Sequence, residues 1–252
     1  MKMVNAIIEA RMGSSRLPGK TMMNIMGLPS IQLLIDRLRR AKRINNIILA
    51  TTTNSEDDRV EQFCHDYGVV CFRGSSEDVL GRVYYAAQKY GADVVVEVTG
   101  DCPLLDPCLL DDCIDLFVKS DYDYLSNFIE QSYPPGIDVQ IFSFAVLERI
   151  HREAKEEKYR EHVTLYILKN PKLFKMHNVY APPELYYPDW HLELDEYADY
   201  ELIKFIYENL YVKNPTFTTL DVVNLLKEHP EWLKINQEVQ RTWEQTRQED
   251  IR

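Results

Sequence analysis

The sequence predicts an α/β fold, a mixed and mostly parallel sheet flanked by helices with a small antiparallel and helical insertion, and three observations carry that expectation. The first ~120 residues alternate short β-branched runs with amphipathic stretches, the pattern of successive βαβ units. Beyond them, two strand-like runs flank the turn-rich Ser132-Tyr133-Pro134-Pro135-Gly136, which favours antiparallel pairing. A loop rich in glycine and basic residues leaves the first strand, where open α/β sheets bind their ligands.

In order, strands are expected at residues 4–9, 46–50, 69–72 and 93–98. Between the first two, Ile31, Leu34, Ile35 and Leu38 fall at i, i+3, i+4 and i+7, so this segment reads as a helix with one buried face. Arg37, Arg39 and Arg40 point elsewhere and read as a solvated basic face. Residues 56–67, 77–90 and 107–119 supply further crossover helices. Strands at 121–127 and 136–142 precede helices at 144–157 and 159–170, and a Pro- and Tyr-rich loop at 181–190 is either a lid or a long connection. A strong helix at 196–211 places Ile203, Ile206, Tyr207 and Leu210 on one face, and 220–252 reads as a charged helical tail.

Composition narrows the function. Forty acidic residues against 29 basic ones give a net charge of −11, which argues against nucleic-acid binding through the overall field. A phosphate ligand must then meet a local basic cluster. No run approaches the roughly 18 apolar residues needed to span a bilayer, and the N-terminus lacks an apolar leader, so a cytoplasmic protein with no membrane partner is expected. Five cysteines without a Cys-x-x-Cys pair point to reduced thiols rather than disulfides or zinc.

The most specific segment is Ala10-Arg11-Met12-Gly13-Ser14-Ser15-Arg16-Leu17-Pro18-Gly19-Lys20. Gly13 and Gly19 let the backbone approach a ligand, Ser14 and Ser15 offer hydroxyls, and Arg11, Arg16 and Lys20 put three cations in one short loop, which suits a triphosphate. Ser14 stands where a Walker A loop needs glycine, and no Gly-x-Gly-x-x-Gly is present. Composition alone leaves a plain basic surface loop open. Asp101 follows the strand at 93–98 through Thr99-Gly100, at the same sheet edge, where one or two carboxylates suffice for Mg2+.

In these segments the chain resembles the CMP-sugar synthetases, the cytidylyltransferase family that includes the 3-deoxy-manno-octulosonate and acylneuraminate enzymes, and especially its spore-coat polysaccharide biosynthesis branch. The resemblance begins with Arg-x-x-Ser-x-Arg-Leu-Pro-Gly-Lys over residues 11–20. It continues through Ala50-Thr51-Thr52-Thr53-Asn54, Phe72-Arg73-Gly74-Ser75, Glu77-Asp78-Val79-Leu80-Gly81-Arg82 and Val98-Thr99-Gly100-Asp101-Cys102-Pro103-Leu104. It is thinner afterwards, in Gly136-Ile137-Asp138-Val139, Arg160-Glu161-His162-Val163-Thr164 and Leu194-Asp195. The chain departs from the sugar-acid enzymes' Gln-Gly-Asp-Glu-Pro at Thr99 to Pro103, and from their Thr-Pro after the later aspartate, here Glu196-Tyr197.

The resemblance implies the nucleotide-diphosphosugar transferase (GT-A, Rossmann-like) fold, in one cytidylyltransferase domain over 1–252. Residues 1–120 would form the nucleotide-binding half, 121–195 the sugar-binding and dimerisation part, and 196–252 a C-terminal helical part. It further implies transfer of CMP from CTP to an acidic sugar for surface polysaccharide or glycan biosynthesis, Mg2+ as cofactor, and a homodimer. Arg11, Lys20, Asp101 and Asp195 would be catalytic, with Asp101 and Asp195 on the metal. Asp195 is open to a second reading as a helix N-cap, and Glu193 competes for the metal. Ala10, Arg11, Met12, Gly13, Ser14, Arg16, Lys20, Thr51, Asp78, Arg82, Thr99 and Gly100 would meet the nucleotide. Asp78 and Arg82 could equally form an i, i+4 ion pair. Asp138, Gln140, Arg160 and His162 would meet the sugar, and the 160–164 segment is also a candidate subunit contact. Two other enzymes remain in view: a nucleotidyltransferase acting on a phosphorylated sugar or alcohol, and a glycosyltransferase using Asp121-Tyr122-Asp123.

Overall fold

Hydrophobic alternation along the first strand decides the layering. In β1 (Val4–Glu9), Ala6 and Ile8 pack into one core and Ile7 into another, all fully buried, as in a strand covered on both faces. The computed structural model describes residues 2–239 and Arg241. After β1 come a short hairpin, β2 (Asn24–Ile25) and β3 (Leu28–Pro29), and α1 (Ser30–Leu38). Then follow β4 (Asn46–Thr52), α2 (Asp58–Tyr67), β5 (Val70–Gly74), α3 (Val79–Lys89), β6 (Val94–Thr99) and α4 (Pro107–Lys119). The second half holds β7 (Tyr124–Ser126), β8 (Gln140–Ser143), α5 (Phe144–Glu153), α6 (Glu157–Glu161), α7 (Leu165–Lys169), β9 (Met176–Asn178), α8 (Tyr197–Leu210) and α9 (Thr219–Glu228).

Seven strands form one sheet in the order β5-β4-β1-β6-β8-β7-β9. β8 is antiparallel to β6 and β7, and the other pairings are parallel. The mixed, mostly parallel sheet and its antiparallel insertion are therefore as the sequence predicts. From β1 the chain moves outward to β4 and β5, then crosses to the other side as β6, so the loops after β1 and β6 diverge at a switch point. One core, under α1, α2 and α4, takes Ala6, Ile8 and Val96; the opposite one, under α3, α5 and α7, takes Ile7, Val95 and Phe142. A third packs α8 and α9 on Ile25, Leu104, Ile137 and Leu192.

Several boundaries differ from expectation for identifiable reasons. The strand expected at 136–142 starts at Gln140, because Ile137 N–H closes a turn onto Pro134 O at 3.2 Å. The helix expected at 159–170 is two, α6 and α7: His162 is extended (φ −114, ψ 107) and the Thr164 hydroxyl donates to Gln140 Oε1 at 2.6 Å. The tail is not continuously helical, since α9 stops at Glu228, and Pro230 holds His229 out of the helical region (φ −129, ψ 60). Residues 240 and 242–252 of that expected helix lie outside the described residues. Arg37 is buried rather than solvated: it donates to Leu105 O (2.7 Å) and Phe217 O (3.1 Å) and lies over the Phe217 ring. All five cysteines are free.

A polar seam crosses the interior beneath the carboxyl edge of the sheet. Gln140 accepts from Tyr124 Oη (2.9 Å) and Thr164 and donates to Glu97, which is 2% exposed and hydrogen-bonded to Glu9. Burial, reinforced by the Glu9 charge, pushes the Glu97 carboxyl well above its ordinary 4.5. Glu97 thus contributes its full stability below that value and loses it as pH rises toward the folded pKa. Glu97→Gln keeps a donor toward Glu9 and an acceptor for Gln140. It is expected to stabilise the protein by about 1 kcal/mol or more at pH 8 and to have little effect near pH 4.5, as thermal unfolding at the two pH values will read.

Candidate active site

The loop after β1 is shaped by its own backbone. Met12 O accepts N–H groups from Ser14 and Gly19, both at 2.9 Å, folding the segment into a closed loop whose return needs the left-handed conformation of Gly19 (φ 76). From outside, the buried Asp57 accepts Met12 N–H at 2.6 Å and Thr52 N–H at 3.3 Å, tying the loop to the end of β4. Thr21 Oγ1 donates to Arg11 O at 2.9 Å, and Ser30 Oγ donates to Lys20 O and Thr21 O, anchoring the loop to the start of α1. Lys20 therefore leaves a braced backbone.

Its ammonium bridges two carboxylates, Asp101 Oδ2 at 2.5 Å and Asp195 Oδ1 at 2.8 Å, and Arg16 Nη2 meets Asp195 Oδ2 at 2.9 Å. Asp101 is set by Gly100: a Cβ there would lie 2.8 Å from Ala10 Cβ and 3.0 Å from Glu9 O, so only glycine lets the end of β6 close against β1. Asp195 is brought alongside by Leu194 N–H donating to Asp101 O at 2.8 Å. Burial opposes charge on Lys20, yet the two carboxylates override it and hold the ammonium above its usual range. Asp101 is likewise held low by Lys20 despite burial. Among the described residues no set of three or more His, Cys, Asp or Glu side chains is arranged to hold a metal. Two aspartates converging on one cation nevertheless fit Mg2+, which takes one or two carboxylates and completes its shell with water and substrate phosphates.

The family model of the cytidylyltransferases matches residues 5–225. The chain belongs to the cytidylyltransferase family. It is 35% identical to the spore coat polysaccharide biosynthesis protein SpsF of Bacillus subtilis, over 89% of this chain and 94% of that one. It is 34% identical to the 3-deoxy-manno-octulosonate cytidylyltransferase of Geobacter sulfurreducens, over 44% of each. A cytidylyltransferase structure from Leptospira borgpetersenii superposes with a TM-score of 0.88 at 31% identity, covering 96% of this chain and all of that one. The protein is thus a CTP-dependent nucleotidyltransferase built on the fold expected from its sequence.

Within this cytidylyltransferase the expected residues are brought together only in part. Ala10, Met12, Gly13 and Ser14 lie in the loop after β1 that carries Arg16 and Lys20, and Thr99 and Gly100 end β6 just before Asp101. Thr51 and Arg82 are nine-tenths or more buried, and Thr51 Oγ1 and Arg82 Nε have no hydrogen-bond partner among the described residues. Arg11 reaches away to Ser76 O at 3.2 Å. Asp78 caps α3 through Gly81 N–H and pairs with Arg160 at 2.6 Å, so its ionic partner is Arg160 rather than the Arg82 of the i, i+4 alternative. Asp138 lies two residues before β8, at the carboxyl edge of β6, and within electrostatic range of Glu193 and Glu97. His162 lies within range of Glu9, while the Gln140 amide is engaged in the interior seam.

Glu196, not Asp195, is the N-cap of α8; Glu193 meets Arg241 at 3.4 Å and lies within electrostatic range of Asp195 and Asp101, while Asp195 binds Lys20. Asp121 and Asp123 bind Lys175 and precede β7, at the amino edge of a strand parallel to β6, away from the site. Sequence reasoning missed Asp57, Asp199, Asn236 and Arg241; only the acids in the first turns of α2 and α8 left a trace there. Lys20→Met removes the cation between two carboxylates. It is expected to cost about 2–3 kcal/mol at pH 7, below the ~3–5 of a fully buried pair because Asp101 keeps 23% exposure. The Lys20 contribution is present below its unfolded value of 10.5 and that of Asp101 above 3.8, so denaturant titrations should show the cost level between these limits and shrinking below pH 4.

Proposed function

We propose that this cytidylyltransferase transfers CMP from CTP to an acidic sugar, with Mg2+ and release of pyrophosphate, for a surface polysaccharide or glycan. The observation that carries this reading is the meeting of Lys20 with Asp101 and Asp195 at the switch point of the sheet. Its acidic acceptor is supported by the likeness to the 3-deoxy-manno-octulosonate enzyme, and the biosynthetic setting by the likeness to SpsF.

In the reaction, a sugar hydroxyl oxygen bonds to the α-phosphorus, the α–β bridging P–O bond breaks, pyrophosphate departs and the hydroxyl proton is released. Catalysis by positioning and charge is sufficient. Arg11, Arg16 and Lys20 hold the β- and γ-phosphates and neutralise the leaving group, Lys20 and Arg16 exchanging their carboxylate contacts, and Arg11 its contact to Ser76 O, for phosphate oxygens. Asp101 and Asp195 are the residues that would hold Mg2+, which when bound neutralises phosphate charge and acidifies the attacking hydroxyl. The strand ends at Ala10–Ser14 and Thr99–Gly100 flank the nucleotide, and the free Thr51 hydroxyl and Arg82 Nε offer a buried acceptor and donors to the nucleoside. Asp138, Arg160 and His162 orient the sugar, Arg160 exchanging its Asp78 contact for the sugar carboxylate; Gln140 acts from beneath by fixing Thr164.

Pyrophosphate release from CTP, UTP, ATP and GTP, each with Mg2+ and a panel of sugar acids and sugar phosphates, tests the assignment. Release is expected from CTP with a sugar acid, and Asp101→Ala should lower it by about 100-fold or more. Release only with sugar phosphates would reassign the acceptor, and full activity of Asp101→Ala would remove the metal-ligand role.

A further inference from the structure

Asp195 is held from a direction that the loops after β1 and β6 do not supply. Beyond α9 the chain returns across the 191–199 segment and buries Asn236 and Arg241, at 2% and 4% exposure. Arg241 binds Asp199 twice, Nη2 to Oδ1 at 2.6 Å and Nη1 to Oδ2 at 3.3 Å, and meets Glu193 Oε1 at 3.4 Å. Asn236 Nδ2 donates to Asp199 Oδ1 at 2.7 Å and to His191 O at 2.9 Å. Asp199, fully buried, in turn accepts the backbone N–H groups of Asp195 (3.1 Å) and Glu196 (2.8 Å) through Oδ2. The contacts therefore run from Arg241 through Asp199 to the peptide of Asp195 itself. Asn236 and Arg241 also lie beyond residue 225, where the family match ends.

The electrostatics make this path rigid. A fully buried aspartate is tolerable only when its charge is paired and its lone pairs are filled, and Asp199 meets both conditions only with the guanidinium in place. The same guanidinium meets Glu193, two residues before Asp195, and offsets part of the repulsion between that buried carboxyl and Asp195, whose own carboxylate binds Lys20. We propose, resting on the nucleotidyl-transfer reading above, that Asn236 and Arg241 form a C-terminal strap of positioning residues that sets Asp195 opposite Asp101.

The test compares wild type with Arg241→Met, Arg241→Lys and Asn236→Ala. Arg241→Met is expected to lower kcat, and to raise the Mg2+ concentration for half-maximal rate, by about 10–100-fold each, as for a lost outer contact to a metal-ligating carboxylate. KM for CTP should stay within about threefold, because the phosphate-binding cations are untouched. Arg241→Lys, which keeps the charge without the fork, should recover part of the loss, and Asn236→Ala should give a smaller loss of the same kind. Mn2+ titration in the presence of CTP, read by electron paramagnetic resonance, should show the weakened site without turnover. Wild-type kcat and Mg2+ dependence in Arg241→Met, with only a lower Tm, would overturn the strap. If Arg241→Met does not fold, Asn236→Ala decides by the same readings. If wild type releases no pyrophosphate from any nucleotide, the functional reading fails instead, and equal Mn2+ affinities in wild type and variants would then overturn the strap as well.

Discussion

Lys20 meets Asp101 and Asp195 across 81 and 175 residues of sequence, and placing one ammonium between two carboxylates constrains every segment that carries them. Like-charged carboxylates at this separation repel strongly in a partly buried setting, and the cation between them reverses that balance. Holding it there requires the closed loop around Met12 O, the close approach permitted by Gly100, and the backbone bond from Leu194 to Asp101. Each belongs to a different part of the chain. In the proposed reaction one lysine would serve two states: it neutralises the aspartates here and would exchange them for phosphates, which carry the same kind of oxygen.

Beneath this edge, the protein keeps polar groups in the middle of its sheet. Glu9 and Glu97 end or lie within central strands where apolar residues are the rule; Glu97 pairs with Glu9 and accepts from Gln140, whose own amide oxygen accepts from Tyr124 and Thr164. A fully connected network of this kind is stable only as a whole. It links β1, through β6 and β8, to the 162–164 break between α6 and α7, so the break in the expected helix and the buried glutamate belong to one network.

The third core, under α8 and α9, does more than cover Leu192 and Leu194. The capping box between Glu196 and Asp199 starts α8, and the same Asp199 carboxylate accepts the Asp195 N–H, so helix initiation and carboxylate placement are one interaction. Tyr207, donating to Pro103 O at 2.6 Å, ties the far end of α8 to the loop of Asp101. Both aspartates thus answer to one helix.

What the sequence by itself determined was local and periodic: β1, β4, β5 and β6, the helices between them, the glycine- and arginine-bearing loop after β1 and the placement of Asp101 at a strand end. Apolar periodicity and glycine and basic residue types act over a few positions, which is why they are legible without the fold. The pairing of Asp195 with Lys20, the burial of Arg37, the seam that breaks the helix at His162, and the contacts of Asp57, Asn236 and Arg241 were decided by tertiary structure alone. Each depends on which distant charge or carbonyl a side chain meets, and such pairing is fixed by packing between segments far apart in the chain rather than by any pattern along it.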